Sequence, residues 1–459
     1  MMAEKLVGAR GYRSTPSANK PKCARNFSVS PSCAATDFGK SAAGKRKTNS
    51  LNSAAMSSAF AEHWPETFRY AKKFSPFYRE LFRKFKSLPR LEELPTVDKT
   101  VLSERNLDFL CVPRSRIAEI VTTSGTTGKP LLWMLTESDV QRLAVNEKIS
   151  FECAGLTPRD TVLVAVALDR CFIAGLAYWQ GLRELGCAVV RVGASSPLLV
   201  LEMIERVQPT AIVAVPSFLR VIAEKARETK FNLKGCSVKK AVCIGEPIRD
   251  GKFSLNTSGR AIEAAWGAKV FSTYGVTELA NSLCECSAGM GGHLHDQQLH
   301  LEILDEDGKA LPDGVVGEVV ATTFGVEAMP LIRYRTGDCA AMFSTKCQCG
   351  RTTPRLGPIV GRKNQKLKFK GTSLFPSTLQ AVLEESGVEK FVVIVRRESE
   401  LSDAVEILFH GSASAVSLRE AVQARAKITP HIRRATRTEI EKLQLPPNTR
   451  KRRTFVDLR

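Results

Sequence analysis

Three short apolar runs decide the fold: Thr161-Val162-Leu163-Val164-Ala165-Val166-Ala167-Leu168, Ala211-Ile212-Val213-Ala214-Val215 and Lys239-Lys240-Ala241-Val242-Cys243-Ile244. Each is short, β-branched and without helical period, which is the pattern of a strand buried on both faces. Helical patterns separate them. Ala174–Leu185, Pro197–Val207, Ser217–Glu228 (with Ser217 expected as N-cap) and Gly259–Trp266 read as helices, and Cys187–Val192 and Lys269–Thr273 as further strands,. Such alternation builds right-handed βαβ units around a parallel sheet, and ligands bind such sheets at the carboxyl ends of the strands.

Outward from this block the pattern changes. Upstream, Phe60, Trp64, Phe68, Tyr70, Phe74, Phe77, Tyr78, Leu81 and Phe82 recur at near-helical spacing and are expected to pack a core,. Downstream, Leu299–Leu304, Gly317–Thr323 and Ala340–Phe343 read as strands of a more antiparallel, β-rich section,. After Gly361-Arg362 comes a small α+β module: helices at Pro376–Glu385 and Ala415–Ala426, strands at Phe391–Val395 and Ala404–Phe409. The expected division is a basic tail over 1–55, a large domain over 56–362 and a small C-terminal domain over 363–459.

The chain has 459 residues and a formal charge of +20, with 43% hydrophobic and 25% charged residues. That composition excludes a disordered chain, a collagen or a coiled coil as the whole, and no apolar run is long enough to span a membrane. Residues 1–55 hold ten basic and two acidic residues and no periodicity. They read as a disordered tail, with organelle import and a misassigned start before Met56 as open alternatives. Arg450-Lys451-Arg452-Arg453 is a second basic cluster. An enzyme that handles polyphosphates explains the charge as well as a nucleic-acid binder does, and nucleic acid is not the expected partner. Thirteen scattered cysteines are too sparse for a disulfide scaffold and suit a reducing compartment, so the cytoplasm is expected,.

The strongest local signal is Thr122-Thr123-Ser124-Gly125-Thr126-Thr127-Gly128-Lys129-Pro130. Two glycines let the backbone approach a ligand closely, successive N–H groups can form a nest for anionic oxygens, and Lys129 adds charge. It is not a Walker A loop: the spacing is G-x-x-G-K, and Pro130 stands where a Mg²⁺-binding hydroxyl would be.

This loop resembles the phosphate loop of the adenylate-forming (AMP-binding) superfamily. Four more segments agree in the same order: Ile244-Gly245-Glu246-Pro247, Tyr274-Gly275-Val276-Thr277-Glu278, Arg333-Tyr334-Arg335-Thr336-Gly337-Asp338, and Gly361-Arg362 with Lys368-Phe369-Lys370-Gly371. Glu327–Tyr334, Phe375-Pro376-Ser377, Ser75–Arg79 and the ending Val456-Asp457-Leu458-Arg459 are similar to the phenylacetate–CoA ligase branch. The resemblance covers about residues 60–459. It implies a large adenylation domain, a small mobile C-terminal domain, and ATP-dependent conversion of a carboxylic acid, aromatic or arylacetic, to acyl-AMP and then acyl-CoA. Transfer to an amine or a carrier protein is the alternative. ATP, Mg²⁺ and coenzyme A are the implied cofactors, and a homodimer is an open reading. A carboxylate is a poor electrophile and the substrates supply both nucleophiles, so the protein's task is positioning and charge neutralisation.

The resemblance also implies residue roles. Thr122–Lys129 would hold the β/γ-phosphates, and Glu278 would ligate Mg²⁺. Tyr274 would stack on adenine, with Gly245, Glu246 and Pro247 along its edge and Gly275 and Thr277 beside it. Asp338 would accept from the ribose hydroxyls, Arg362 and Lys368 belong to the hinge, and Lys451 takes the place of a lysine that approaches the α-phosphate. Asn364 and Gln365 stand where the hinge is usually acidic. Phe172, Gly175, Tyr178 and Trp179 would lie near the acid pocket. Separately, Cys286 lies seven residues before His293, and Cys347-Gln348-Cys349-Gly350 follows. Cys₃His is an accepted structural zinc set, with Cys284, His295 and His300 as alternates.

Overall fold

Alternate residues of the central strands pack into different cores, so each strand has to be apolar throughout. Leu163, Ala165, Ile212, Ala214, Ala241 and Cys243 face one cluster. Val162, Val164, Ala211, Val213, Val242 and Ile244 face another. A sheet with both faces covered by helices requires this. The chain is described by a computed structural model over residues 58–123, 131–169, 171–369, 372–388, 390–398, 402–446 and 453–459. The expected tail over 1–55 lies outside the described residues.

In chain order, α1 (Ser58–Phe74), α2 (Pro76–Leu81) and α3 (Lys99–Glu104) precede a hairpin of β1 (Ile117–Thr122) and β2 (Leu132–Thr136), then α4 (Glu137–Cys153). The aromatic residues of the first segment do pack a core: Phe60, Trp64, Phe68, Phe77, Tyr78 and Phe82 are all buried. The alternating block follows: β3 (Thr161–Ala165), α5 (Ile173–Leu185), β4 (Ala188–Arg191), α6 (Pro197–Val207), β5 (Ala211–Ala214), α7 (Pro216–Glu228), β6 (Lys240–Ile244), α8 (Thr257–Trp266), β7 (Lys269–Val276) and β8 (Asn281–Cys284). Its sheet has the order β4-β3-β5-β6-β7-β8, parallel except for β8. Ser217 is not the N-cap of α7. Pro216 opens the helix with Val215 as cap residue, and the Ser217 N–H and hydroxyl instead donate to the Glu246 carboxylate at 2.9 and 2.7 Å.

The β-rich section contains β9 (Gly292–His293), β10 (Leu299–Leu304), β11 (Gly317–Thr323), β12 (Tyr334–Ala340), β13 (Met342–Phe343), β14 (Arg355–Leu356) and β15 (Gly361–Arg362). These form the sheets β10-β11-β12-β15 and β13-β14-β9. The strand expected at Ala340–Phe343 is divided: Ala340 ends β12, which begins at Tyr334 and whose polar residues Arg335, Thr336 and Asp338 hide it from a hydropathy reading, and Met342–Phe343 form the separate β13.

The last part holds β16 (Leu367–Phe369), β17 (Thr372–Leu374), α9 (Pro376–Glu385), β18 (Lys390–Arg397), β19 (Asp403–His410), α10 (Ala415–Ala426), β20 (His431–Arg434), α11 (Arg437–Gln444) and β21 (Phe455–Asp457). Its sheet, β20-β19-β18-β21, has its own core of Leu379, Leu383, Phe391, Val393, Ile407, Phe409, Leu418 and Val422. A large mixed α/β domain is thus followed by a smaller α+β one. Among the described residues no helix is long and apolar enough to cross a membrane.

A buried polar network ties α4 to β8. Asn146 accepts from Ser282 N at 2.7 Å, Ser150 donates to Ser282 O at 3.0 Å, and Ser282 Oγ donates to Glu147 Oε2 at 2.7 Å. Burial raises the Glu147 carboxyl to about 8, against the Ser282 bond, which lowers it. A carboxyl whose folded pKa is raised destabilises the fold progressively as pH rises from its unfolded value, near 4.5, to its folded one. Glu147→Gln should therefore melt close to wild type at pH 5 and gain a margin of roughly 2–4 kcal/mol by pH 8. Melting curves across that range check it, and a pH-independent difference would refute it.

Candidate active site

The motifs converge where the sheets meet, at the carboxyl end of β7. Tyr274 lies on β7, and Gly245 follows the adjacent β6 in a left-handed conformation (φ +72°) that disfavours a side chain,. Asp338 on β12 is 7% exposed. Its Oδ2 accepts from the Tyr274 hydroxyl at 3.0 Å, and its Oδ1 meets Arg362 Nε of β15 at 3.1 Å. Burial raises the Asp338 carboxyl, while the Arg362 charge and the Tyr274 hydroxyl pull it back down.

Glu278 sits in the short helical turn Thr277–Leu279 after β7 and is 5% exposed. Its Oε1 meets Lys99 Nζ of α3 at 2.9 Å and accepts from the Tyr334 hydroxyl at 3.4 Å. Lys99 was missed from sequence; it lies 179 residues away and carries no local signal. Through Tyr334 and Lys99 the Glu278 site joins β12, so Tyr274, Glu278, Asp338 and Arg362 form one group.

Thr122 and Thr123 are the described residues of the 122–129 segment. Thr123 N and O–H flank Leu131, with Thr123 N donating to Leu131 O at 3.1 Å. The Thr122 hydroxyl is buried and has no hydrogen-bond partner among the described residues. Ser124, Gly125, Thr126, Thr127, Gly128, Lys129 and Pro130 lie outside the described residues, as do Lys370, Gly371, Arg450, Lys451 and Arg452. Gly275 pairs with Ser282 in the β7–β8 ladder. Lys368 stands apart from the group: its side chain is exposed, and its N–H donates to Asp403 at 2.7 Å.

The Glu246 side chain accepts from the first turn of α7, through Ser217 N and Oγ. Arg333 is structural: 4% exposed, it forms a two-pronged pair with Glu302 at 3.0 and 2.8 Å and donates to Leu94 O at 2.6 Å. The acid-pocket residues are mostly packing. Tyr178 is buried in a core. A Cβ at Gly175 would lie 2.1 Å from the Ala167 carbonyl oxygen, so glycine is needed there for α5 to approach β3. Trp179 is stacked by Arg183 and Arg191 at 5.9 and 5.3 Å,.

The Cys₃His set does assemble. The ligand atoms of Cys286, His293, Cys347 and Cys349 all lie within 4.8 Å of one another. Cys286 Sγ is 3.6 Å from Cys347 Sγ, and Cys349 Sγ is 3.4 Å from His293 Nε2. Tetrahedral zinc at ordinary bond lengths needs ligand separations of about 3.5–3.8 Å, so the residues fit the ion. Thr353 Oγ1 lies 3.2 Å from His293 Nδ1, which leaves Nε2 for the metal,. Arg351 donates to Cys349 Sγ at 3.6 Å and would offset the excess negative charge that three thiolates around a divalent ion would carry. Of the alternates, His295 is paired with Asn146 through Nδ1 at 2.7 Å, Cys284 accepts from Thr273 at 3.3 Å, and His300 packs on Phe60.

The model of the AMP-binding enzyme family matches residues 79–327. The phenylacetate-coenzyme A ligase of Thermus thermophilus is 32% identical over 343 residues, covering 72% of this chain and 76% of the relative. That of Escherichia coli is 30% identical over 327 residues, covering 68% and 72%. Among solved structures, 2-hydroxyisobutyryl-CoA ligase in its postadenylation state superposes with a TM-score of 0.74 at 24% identity, over 86% of this chain and 88% of that one. The same enzyme with 2-HIB-AMP and CoA in the thioesterification state gives 0.64 at 25% identity, over 87% and 89%. With the family model matching more than half of its length, and with relatives this similar over two thirds of it, the chain belongs to the AMP-binding, adenylate-forming enzyme family and to its phenylacetate–CoA ligase-like branch.

Proposed function

We propose that this enzyme, an AMP-forming acid–thiol ligase, activates an aromatic or arylacetic acid with ATP and passes the acyl group to coenzyme A. The observation that carries the reading is the convergence of Tyr274 on β7, Glu278 in the turn after it, Asp338 on β12 and Arg362 on β15 into one group. The similarity to phenylacetate-coenzyme A ligases supports the acid class.

In this reading the Asp338 carboxylate takes the ribose hydroxyls. Tyr274 packs against the adenine, whose edge faces the backbone of Gly245–Pro247. The 122–129 loop holds the polyphosphate, and the unpartnered Thr122 hydroxyl supplies one donor toward it. Glu278 would hold Mg²⁺, with oxygen ligation suited to a hard cation that neutralises phosphate charge. Lys99 balances the Glu278 carboxylate. Lys451 supplies positive charge to the α-phosphate as the acid oxygen attacks and pyrophosphate leaves. The thiol of CoA then attacks the acyl carbon, and AMP departs. The working division is an adenylation domain over 56–362 and a C-terminal domain over 363–459. Cys286, His293, Cys347 and Cys349 hold a structural zinc. The cytoplasm is the proposed compartment, since the cysteines of the described residues are all free,.

Pyrophosphate exchange over a panel of aromatic and aliphatic acids tests the reading, and an enzyme that exchanges with none of them would refute it. Lys451→Ala should abolish that exchange, whereas near-normal exchange would remove the assigned role. Asp338→Ala should raise the KM for ATP about 10–100-fold, the loss of one to two charged hydrogen bonds, while the KM for the acid stays nearly unchanged. Metal analysis of purified enzyme should find about one zinc per chain and far less in Cys349→Ser. A wild-type content far below one would end the zinc assignment.

A further inference from the structure

The zinc ligands are not isolated from the nucleotide site. Glu285 immediately precedes Cys286 and is 1% exposed. It accepts a two-pronged ion pair from Arg249, with Nε–Oε2 at 2.6 Å and Nη2–Oε1 at 2.8 Å. Arg249 Nη1 donates to Phe253 O at 2.8 Å. The Cys286–Gly289 turn, closed by Gly289 N donating to Cys286 O at 2.9 Å, lies directly on the guanidinium. A Cβ at Gly289 would be 2.5 Å from Arg249 Nη2.

Arg249 lies two residues after Pro247, in the loop that begins with Gly245-Glu246-Pro247. That loop closes on itself through the Arg249–Leu255 bridge, and Asn256 Nδ2 fixes the Pro247 carbonyl at 2.9 Å. Glu285 N also donates to Ser272 O at 3.0 Å, on the strand that carries Tyr274 two residues later. The proposed adenine loop and the tyrosine strand are thus both braced on the Glu285-Cys286 dipeptide. A buried carboxylate with a rigid two-pronged partner holds position only while its own backbone is held. A metal on the four-ligand cluster would hold that backbone by tying Cys286 to the distant Cys347–Cys349 turn, whose ligand atoms lie within 4.8 Å of it.

We propose that metal occupancy of the Cys286–His293–Cys347–Cys349 cluster and nucleotide binding are thermodynamically coupled, with Arg249 as the positioning residue that transmits the coupling to the adenine loop. This rests on the adenylation and zinc readings above. Coupling is reciprocal: if loss of the metal weakens AMP binding by some factor, AMP tightens metal binding by the same factor. A factor of about ten is expected, within the usual range for coupled sites.

The test uses the full chain. Calorimetry gives the AMP dissociation constant of zinc-replete and chelator-depleted enzyme, with circular dichroism confirming the depleted form is folded. A competition titration against a chromophoric zinc chelator gives zinc affinity with and without saturating AMP, and remains readable in wild type if depletion unfolds the protein. Both constants should shift about tenfold and by matching factors. Arg249→Lys, which keeps charge but not the two-pronged geometry, should retain zinc, weaken AMP and lose the coupling. AMP binding and zinc affinity that ignore each other within twofold would overturn the coupling while leaving the nucleotide reading intact, and so would an enzyme that binds AMP but retains no zinc. Zinc-replete enzyme that does not bind AMP would overturn both readings together.

Discussion

One buried carboxylate joins the two halves of the site. Asp338 has its two oxygens committed to different elements: Tyr274 of the six-stranded sheet on one side, Arg362 at the exit toward the C-terminal domain on the other. Desolvating a carboxylate costs several kcal/mol, and the cost is offset only where both oxygens are bonded and a cation is near. The meeting of β12 with β7, and the path of the chain through β15, therefore follow from satisfying this group. Glu278 obeys the same constraint with Lys99 and Tyr334. Two acids are held this way, Asp338 within β12 and Glu278 in the turn that follows β7.

Period and apolarity carried the central block, because strands buried on both faces advertise themselves along their whole length. Pro197–Val207, Leu299–Leu304, Gly317–Thr323, Pro376–Glu385 and Ala415–Ala426 match the structure end to end. Legibility failed where strands are polar for functional or edge reasons. β12 carries Arg335, Thr336 and Asp338 in its middle, so only its apolar tail was visible. β20 buries a single side chain, Ile432, among basic neighbours, and α11 is mostly charged; neither has a pattern to read.

The site shows the same division. Motif order picked out Tyr274, Glu278, Asp338 and Arg362, which the fold brings together, and Cys/His spacing picked out four residues whose ligand atoms cluster, since both are local patterns. The residues that hold those groups in place were invisible. Lys99 reaches Glu278 across 179 positions, and Arg249 reaches Glu285 across 36. Ser217 looked like a helix cap because serine before a helical run usually is one, but a carboxylate from the next loop had taken the donors.

The hinge shows how such remote partners can absorb a departure from pattern. Asn364 and Gln365 replace the acidic pair usual there, yet the segment is well anchored. Arg459 donates to the carbonyls of Asn364 and Lys366 at 2.9 and 3.0 Å and to Asp403 at 2.9 Å. The Arg459 side chain is 11% exposed, so these bonds are shielded from solvent. Asp403 also takes the Lys368 N–H at 2.7 Å. Backbone carbonyls are present whatever side chain the position carries, so substituting the acids removes none of these contacts. The two remaining ion pairs, Lys363 with Glu318 at 3.0 Å and Lys366 with Glu306 at 3.4 Å, have half-exposed lysines and contribute little,. The shielded bonds on the segment thus come from Arg459 rather than from its own side chains, while Arg362, just before it, is bonded to Asp338.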